Sequence, residues 1–126
     1  MHLVSLIFLL VTPFLSTAVR DSPRFDAYST KISIKQENGR LDNYAIQLKN
    51  DPNSRGLILV YAENEKTAAA TKARARRAAK YLVKTRGLNP ARVIWRFEGA
   101  CKYDEIQLYL LYPTEADPIR DTKCIR

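Results

Sequence analysis

The order of apolar and polar residues along the chain predicts six elements of secondary structure. Alternating apolar positions indicate strands, a stripe recurring every three to four residues indicates a helix, and a continuous apolar run of strand length indicates a covered strand. In chain order we predict a strand at 28–35, a helix at 41–48, a strand at 56–61, a helix at 66–86 and strands at 91–97 and 105–112. The order β-α-β-α-β-β predicts an α+β fold, a two-layer sandwich with two helices on one face of a mixed sheet.

Turn signals separate these elements. Asn38-Gly39 predicts a turn after the first strand, and the Asn/Pro-rich residues 50–54 end the first helix. Gly87, followed by Pro90, ends the second helix. The last two strands, separated by the loop 98–104, are close enough in sequence to form a hairpin.

The first residues differ from the rest. Leu3 to Leu15 are almost wholly apolar, too short for a membrane span of about 20 residues but suited to the core of a secretory signal. Small residues at 16–18 predict a signal peptide at 1–18, a lead-in at 19–26, the domain at 27–112 and a tail at 113–126. No Lys or Arg precedes the apolar run, so a buried N-terminal strand or an uncleaved anchor remains an alternative. We expect export to the periplasm or the extracellular space.

Two cysteines, Cys101 and Cys124, accompany this expectation. An oxidising compartment favours a disulfide between them, and two separate buried thiols are the alternative. Two Cys without a spare His cannot complete a tetrahedral metal site, so we predict no metal.

The candidate chemistry points to binding rather than catalysis. His2 is the only histidine and lies in the predicted signal, which excludes a Ser-His-Asp triad in the mature chain. The glycines stand alone, so no phosphate-binding loop is present, and we predict a protein without enzymatic activity or cofactor. A hydrolase would need a pair of carboxylates; those of the loops are expected to be solvated (Glu63, Glu65, Glu98, Asp104 and Glu105).

The net charge of +8 indicates an anionic partner, and export makes nucleic acid an unexpected one. A wheel of about 100° per residue divides the second helix into three parts. The buried stripe consists of Ala75, Ala78, Ala79 and Leu82. The face toward water consists of Arg76, Arg77, Lys80 and Lys84. Arg74 and Tyr81 lie on one flank, where Arg74 could lean toward the loop holding Glu63 and Asn64 and receive a carboxylate or phosphate.

The segment RARRAAKYLVKTRGLNPARV, residues 74–93, resembles the C-terminal domain of outer-membrane protein A and the related OmpA-like domains. The matching pairs are Arg74-Ala75, Tyr81-Leu82, Gly87-Leu88 and Arg92-Val93. With the element order, the resemblance covers residues 28–112. It implies binding of peptidoglycan through the diaminopimelate of the stem peptide, by a helix arginine and a loop aspartate.

Arg74 matches that arginine, whereas the loop 61–65 lacks the family's Thr-Asp, leaving Glu63 or Asn64 as substitutes. We therefore expect a non-catalytic cell-envelope module that binds peptidoglycan or another anionic envelope component through Arg74, Glu63, Asn64 and Tyr81. The alternative is a general polyanion- or protein-interaction module that uses the outer face of the second helix, which could equally be a merely solvated surface.

Overall fold

The computed structural model describes residues 24–113. Its strands are β1 (Arg24–Ser29), β2 (Arg55–Ala62), β3 (Val93–Ala100) and β4 (Glu105–Leu111), and its helices are α1 (Ile34–Asn50) and α2 (Glu65–Lys80). A π-helical turn (Tyr81–Thr85) extends α2, and a short 3-10 turn (Pro90–Arg92) precedes β3. The predicted α+β class and element order are confirmed. The predictions for the signal, the tail beyond residue 113 and Cys124 lie outside the described residues.

The four strands form one mixed sheet in the order β1-β4-β2-β3. β2 runs parallel to β3, and β4 pairs antiparallel with both β1 and β2. The predicted hairpin between β3 and β4 is therefore wrong. β4 is buried from Ile106 to Leu111 in the middle of the sheet, with Gln107 as the one polar residue of that run, whereas β3 carries the ion pair of Arg96 and Glu98 and occupies an edge.

The beginning of the domain also differs from the prediction. β1 starts at Arg24, inside the predicted lead-in, and ends at Ser29, so a strand at 28–35 is wrong. Ser33 instead caps α1: its hydroxyl accepts from the Gln36 amide, and the Gln36 side chain accepts from the Ser33 amide. This capping box starts the helix and places Gly39 within its second turn, where the predicted Asn38-Gly39 turn does not form.

The two helices pack on the same face of the sheet, as predicted. The buried stripe of α1 and the Ala stripe of α2 meet alternate residues of β2 and β4 there. This core includes Leu41, Tyr44, Leu48, Ala75, Ala78 and Leu82 from the helices and Ile58, Val60, Ile106 and Leu108 from the sheet. The other face of the sheet has a second buried cluster around Leu57, Leu59 and Leu111. Both central strands therefore have buried side chains on two faces.

The region after α2 is held by backbone geometry and one arginine. Gly87 has a φ of +73°, a left-handed conformation that glycine adopts at little cost, and it ends the helical segment as predicted. Arg92 donates to the carbonyl oxygens of Leu48, Asp51 and Ser54, which ties the end of α1 to the start of β3. Neither helix within residues 24–113 is long and apolar enough to cross a membrane.

Candidate functional site

The basic helix α2 has two flanks with different surroundings. The flank facing α1 carries Arg74, Arg77 and Tyr81, and we call it the α1 flank. The flank facing the edge strand β3 carries Lys72 and Arg76, and we call it the β3 flank. The chemistry available to each basic residue follows from the flank on which it lies.

Arg74, the arginine singled out in the sequence, is bound to three protein acceptors. Its Nε donates to Glu37 Oε1 at 3.1 Å, its Nη1 to the Thr30 carbonyl at 3.2 Å and its Nη2 to the Ile32 carbonyl at 2.7 Å. The Arg74 side chain is 17% exposed and that of Glu37 is fully buried. Arg74 thus joins α2 to the start of α1, and neither Glu63 nor Asn64 is among these partners.

Arg77 shares the same buried carboxylate. Its Nη2 donates to Glu37 Oε1 and, at 3.0 Å, to Asn38 Oδ1, and the side chain is 33% exposed. The prediction that Arg77 belongs to a water-facing row is therefore wrong, because α1 lies against that side of the helix. Burial, reinforced by the negative charge of Glu37, raises the pKa of the Tyr28 phenol nearby.

Tyr81 closes the α1 flank at its other end. Its hydroxyl donates to Asp42 Oδ1 at 2.6 Å, and Arg86 Nε donates to the same oxygen at 2.6 Å. These hydrogen bonds, from Tyr81 first and then from Arg86, lower the pKa of Asp42. Tyr81 therefore links the two helices and does not line a ligand pocket with Arg74.

A cavity of about 200 Å³ lies beside the first half of α2. Its lining consists of Thr30, Thr67, Ala70, Thr71, Arg74 and Asp104. Asp104 Oδ1 accepts from the Glu63 amide and from the Thr67 hydroxyl, both at 2.7 Å, which holds this carboxylate at the first turn of α2. Arg74 enters the lining two turns later. Residues that carry a carboxylate, a guanidinium and hydroxyls thus line one space.

Asp104 is the residue that sequence reasoning missed, since it was counted among the solvated loop charges. The proposed substitutes lie elsewhere: Glu63 is exposed, and Asn64 caps α2 by accepting from the amides of Lys66 and Thr67. Asp104 reaches the cavity because Glu105 pairs with Tyr61, which puts the start of β4 beside the end of β2. A prediction that β2 pairs with β4 would have placed Asp104 beside the end of β2. The predicted β3–β4 hairpin instead placed Asp104 in the loop between those two strands.

The β3 flank is built from cations over aromatic rings. Lys72 Nζ lies 4.4 Å from the centroid of the Phe97 ring, and the Arg76 guanidinium carbon lies 5.4 Å from that of Trp95. Arg76, Lys80 and Lys84 are exposed, as the wheel predicts. Among the salt bridges formed by residues 24–113, none involves these three residues or Lys72.

The remaining predicted groups are the possible metal ligands and the two cysteines. Over the part of the chain that the structure describes, no three metal-ligating side chains come together. Cys101 follows β3, is 9% exposed and donates its amide to the Ala62 carbonyl. Since Cys124 lies beyond the described range, its pairing with Cys101 stays a prediction.

Comparison of the sequence with family models and with curated proteins gives no match. The likeness to OmpA-like domains therefore depends on the residue pattern at 74–93 and on the element order.

Proposed function

We propose that this domain is a non-catalytic binding module of the cell envelope, and that the cavity between Arg74 and Asp104 receives part of its ligand. The observation that carries the proposal is the pairing of a guanidinium and a carboxylate on one cavity of about 200 Å³. Opposite charges on one small cavity suit a group that itself carries both charges. The resemblance to OmpA-like domains adds the expectation that this ligand is the stem peptide of peptidoglycan.

Both charged residues retain bonding capacity after their structural contacts. A guanidinium has five N–H donors, and three contacts to Glu37, Thr30 and Ile32 leave donors for a ligand carboxylate. Within residues 24–113 the Asp104 side chain accepts hydrogen bonds at Oδ1, from the Glu63 amide and the Thr67 hydroxyl, and none at Oδ2, which could accept from an ammonium group. Diaminopimelate, the ligand that the resemblance implies, offers both a carboxylate and an ammonium.

Replacing Arg74 would not test this proposal cleanly, because the replacement would also leave the buried Glu37 with one partner fewer. Ala70 offers a better position, because it lines the cavity, is exposed and has a methyl side chain without polar atoms. We expect Ala70→Leu to fill the cavity and to weaken co-sedimentation with purified peptidoglycan at least tenfold. Leucine is nearly as good a helix former as alanine, so the thermal midpoint should stay within a few degrees.

Ala69→Leu is the matched control, since Ala69 is also exposed on α2 but does not line the cavity. This variant should sediment like the wild type. Equal sedimentation of the wild type and Ala70→Leu would remove the cavity from the proposal. Absence of sedimentation for the wild type would overturn peptidoglycan as the ligand.

A further inference from the structure

Within residues 24–113, the β3 flank presents positive charge that no salt bridge neutralises. Lys72 and Arg76 lie over the rings of Phe97 and Trp95, and within residues 24–113 no strand pairs with the outer edge of β3. Aromatic faces attract cations without removing their charge. The α1 flank is the opposite case, because there Arg74 and Arg77 share the carboxylate of Glu37.

Lys80 continues this row. Residues 72, 76 and 80 are four positions apart, so they follow one another along the helix with a rise of about 6 Å for each step. Within residues 24–113, none of the three forms a salt bridge. The whole chain carries a net charge of +8, which adds a long-range attraction for anions. The result is a linear array of positive charges, of which Arg76 and Lys80 are exposed and Lys72 is half-buried.

We propose that the β3 flank, together with Lys80, is a docking surface for a linear carboxylated polysaccharide. A linear polymer with regularly repeated carboxylates complements a row of cations, whereas a single small anion would meet only one of them. The rings beneath Lys72 and Arg76 hold these side chains near their binding positions, which reduces the entropy lost on association. This surface is separate from the Arg74–Asp104 cavity, and the proposal does not depend on it.

The aromatic residues also distinguish this surface from one that binds nucleic acid. Single-stranded nucleic acids bind by stacking their bases on free aromatic faces. Here the half-buried rings of Trp95 and Phe97 have cations over them, so they are not free for stacking on that side. A polymer that offers charge without planar bases fits the surface better.

Trp95 supplies the measurement, because it is the only tryptophan in the chain and lies beneath Arg76. We expect titration of the protein with polygalacturonate to change the Trp95 emission saturably. The logarithm of the affinity should fall linearly with the logarithm of the salt concentration, with a slope of about 0.7 for each cation that binds the polymer. With three cations bound, the affinity for polygalacturonate should therefore fall roughly 20-fold between 50 and 200 mM salt. No saturable emission change, or an affinity that salt leaves unaltered, would overturn the proposal.

The double variant Lys72→Gln/Lys80→Gln removes two charges and leaves Arg76 over Trp95, so the fluorescence reporter is preserved. We expect it to bind polygalacturonate at least tenfold more weakly at 50 mM salt. Lys35→Gln/Lys49→Gln removes the same net charge from exposed positions on α1 and should bind within twofold of the wild type. Equal weakening by the two double variants would reduce the effect to net charge and overturn the assigned surface.

Three further arms identify the partner and separate it from the cavity. Neutral dextran should not bind, and oligothymidylate and vesicles of anionic lipid should bind at least tenfold more weakly than polygalacturonate. A nucleic acid or lipid surface that bound as tightly would replace the polysaccharide as the partner. Ala70→Leu should bind polygalacturonate like the wild type, and a loss in that variant would contradict the separation of the two surfaces.

Discussion

The two flanks of α2 carry the same residue types in opposite electrostatic environments. On the α1 flank, Arg74 and Arg77 converge on Glu37, which is fully buried. On the β3 flank, Lys72 and Arg76 lie over aromatic rings and have no carboxylate partner among the described residues. One flank therefore uses its charges to join two helices, whereas the charges of the other form no salt bridge within residues 24–113.

This difference shows why a count of basic residues does not locate a binding surface. A buried ion pair is expensive to break, because the partner left behind stays desolvated. A cation over a ring at the surface contributes little to stability and retains its charge. The contrast can be tested by removing groups from each flank in turn.

The largest effect is expected from Glu37→Gln. This change keeps the shape of the side chain but leaves Arg74 and Arg77 without the carboxylate between them, which should lower the free energy of unfolding by about 3 kcal/mol. Urea denaturation would measure the difference. Glu65→Gln, an exposed carboxylate in the first turn of α2, is the control and should change stability by less than about 0.5 kcal/mol. A loss below about 1 kcal/mol for Glu37→Gln would contradict the structural role of this flank.

A smaller, pH-dependent effect is expected from Asp42→Asn at the end of the same flank. The pKa of Asp42 is lowered below its ordinary value of 3.8 in the folded protein, so the carboxylate contributes stability above that value and loses it as the pH falls through the lowered pKa. Asp42→Asn should therefore be destabilised by about 1 kcal/mol at pH 7, because Asp42 is partly exposed and its bonds are screened. The two proteins should become equal in strong acid. A difference that does not change with pH would assign the loss to packing instead.

The smallest stability effect is expected from Arg76→Gln on the β3 flank. Removing an exposed cation from above Trp95 should cost about 0.5 kcal/mol. The same urea experiment measures it, with Trp95 fluorescence as a second probe. A cost above about 2 kcal/mol would show that Arg76 is structural, and the contrast between the two flanks would then fail.

Local patterns in the sequence identified the elements that are governed by local chemistry. The apolar stripe of α1, the Ala stripe of α2, the covered strand β2 and the Gly87 stop all follow from residues close together in the chain. The sequence also contains the signal for the start of α1 at Ile34, earlier than the predicted start at 41, since Ser33 and Gln36, three residues apart, form a capping box. The alternation at 31–35 pointed to a strand because it was read without that cap.

The surroundings of Arg74 and Asp104 could not be predicted in the same way, because they depend on contacts between residues that are far apart in the sequence. Arg74 meets Glu37 from 37 positions away, and Asp104 reaches the Glu63 amide from 41 positions away. A helical wheel gives the direction of each side chain but not which neighbour lies there, so it grouped Arg77 with the exposed residues. The hairpin prediction failed for the same reason, because adjacency in sequence does not decide which strand occupies the centre of a sheet.

The sequence by itself determined a basic α+β domain with one Ala-striped helix, because periodicity, caps and net charge are properties of neighbouring residues. Only the tertiary structure decided how the positive charges of that helix are used. The placement of α1 against one flank supplies a buried carboxylate, and the placement of β3 against the other supplies aromatic rings but, within residues 24–113, no carboxylate partner. Burial and pairing arise when separate elements pack together, and they give Arg74 a buried carboxylate partner and Arg76 an exposed position over an aromatic ring.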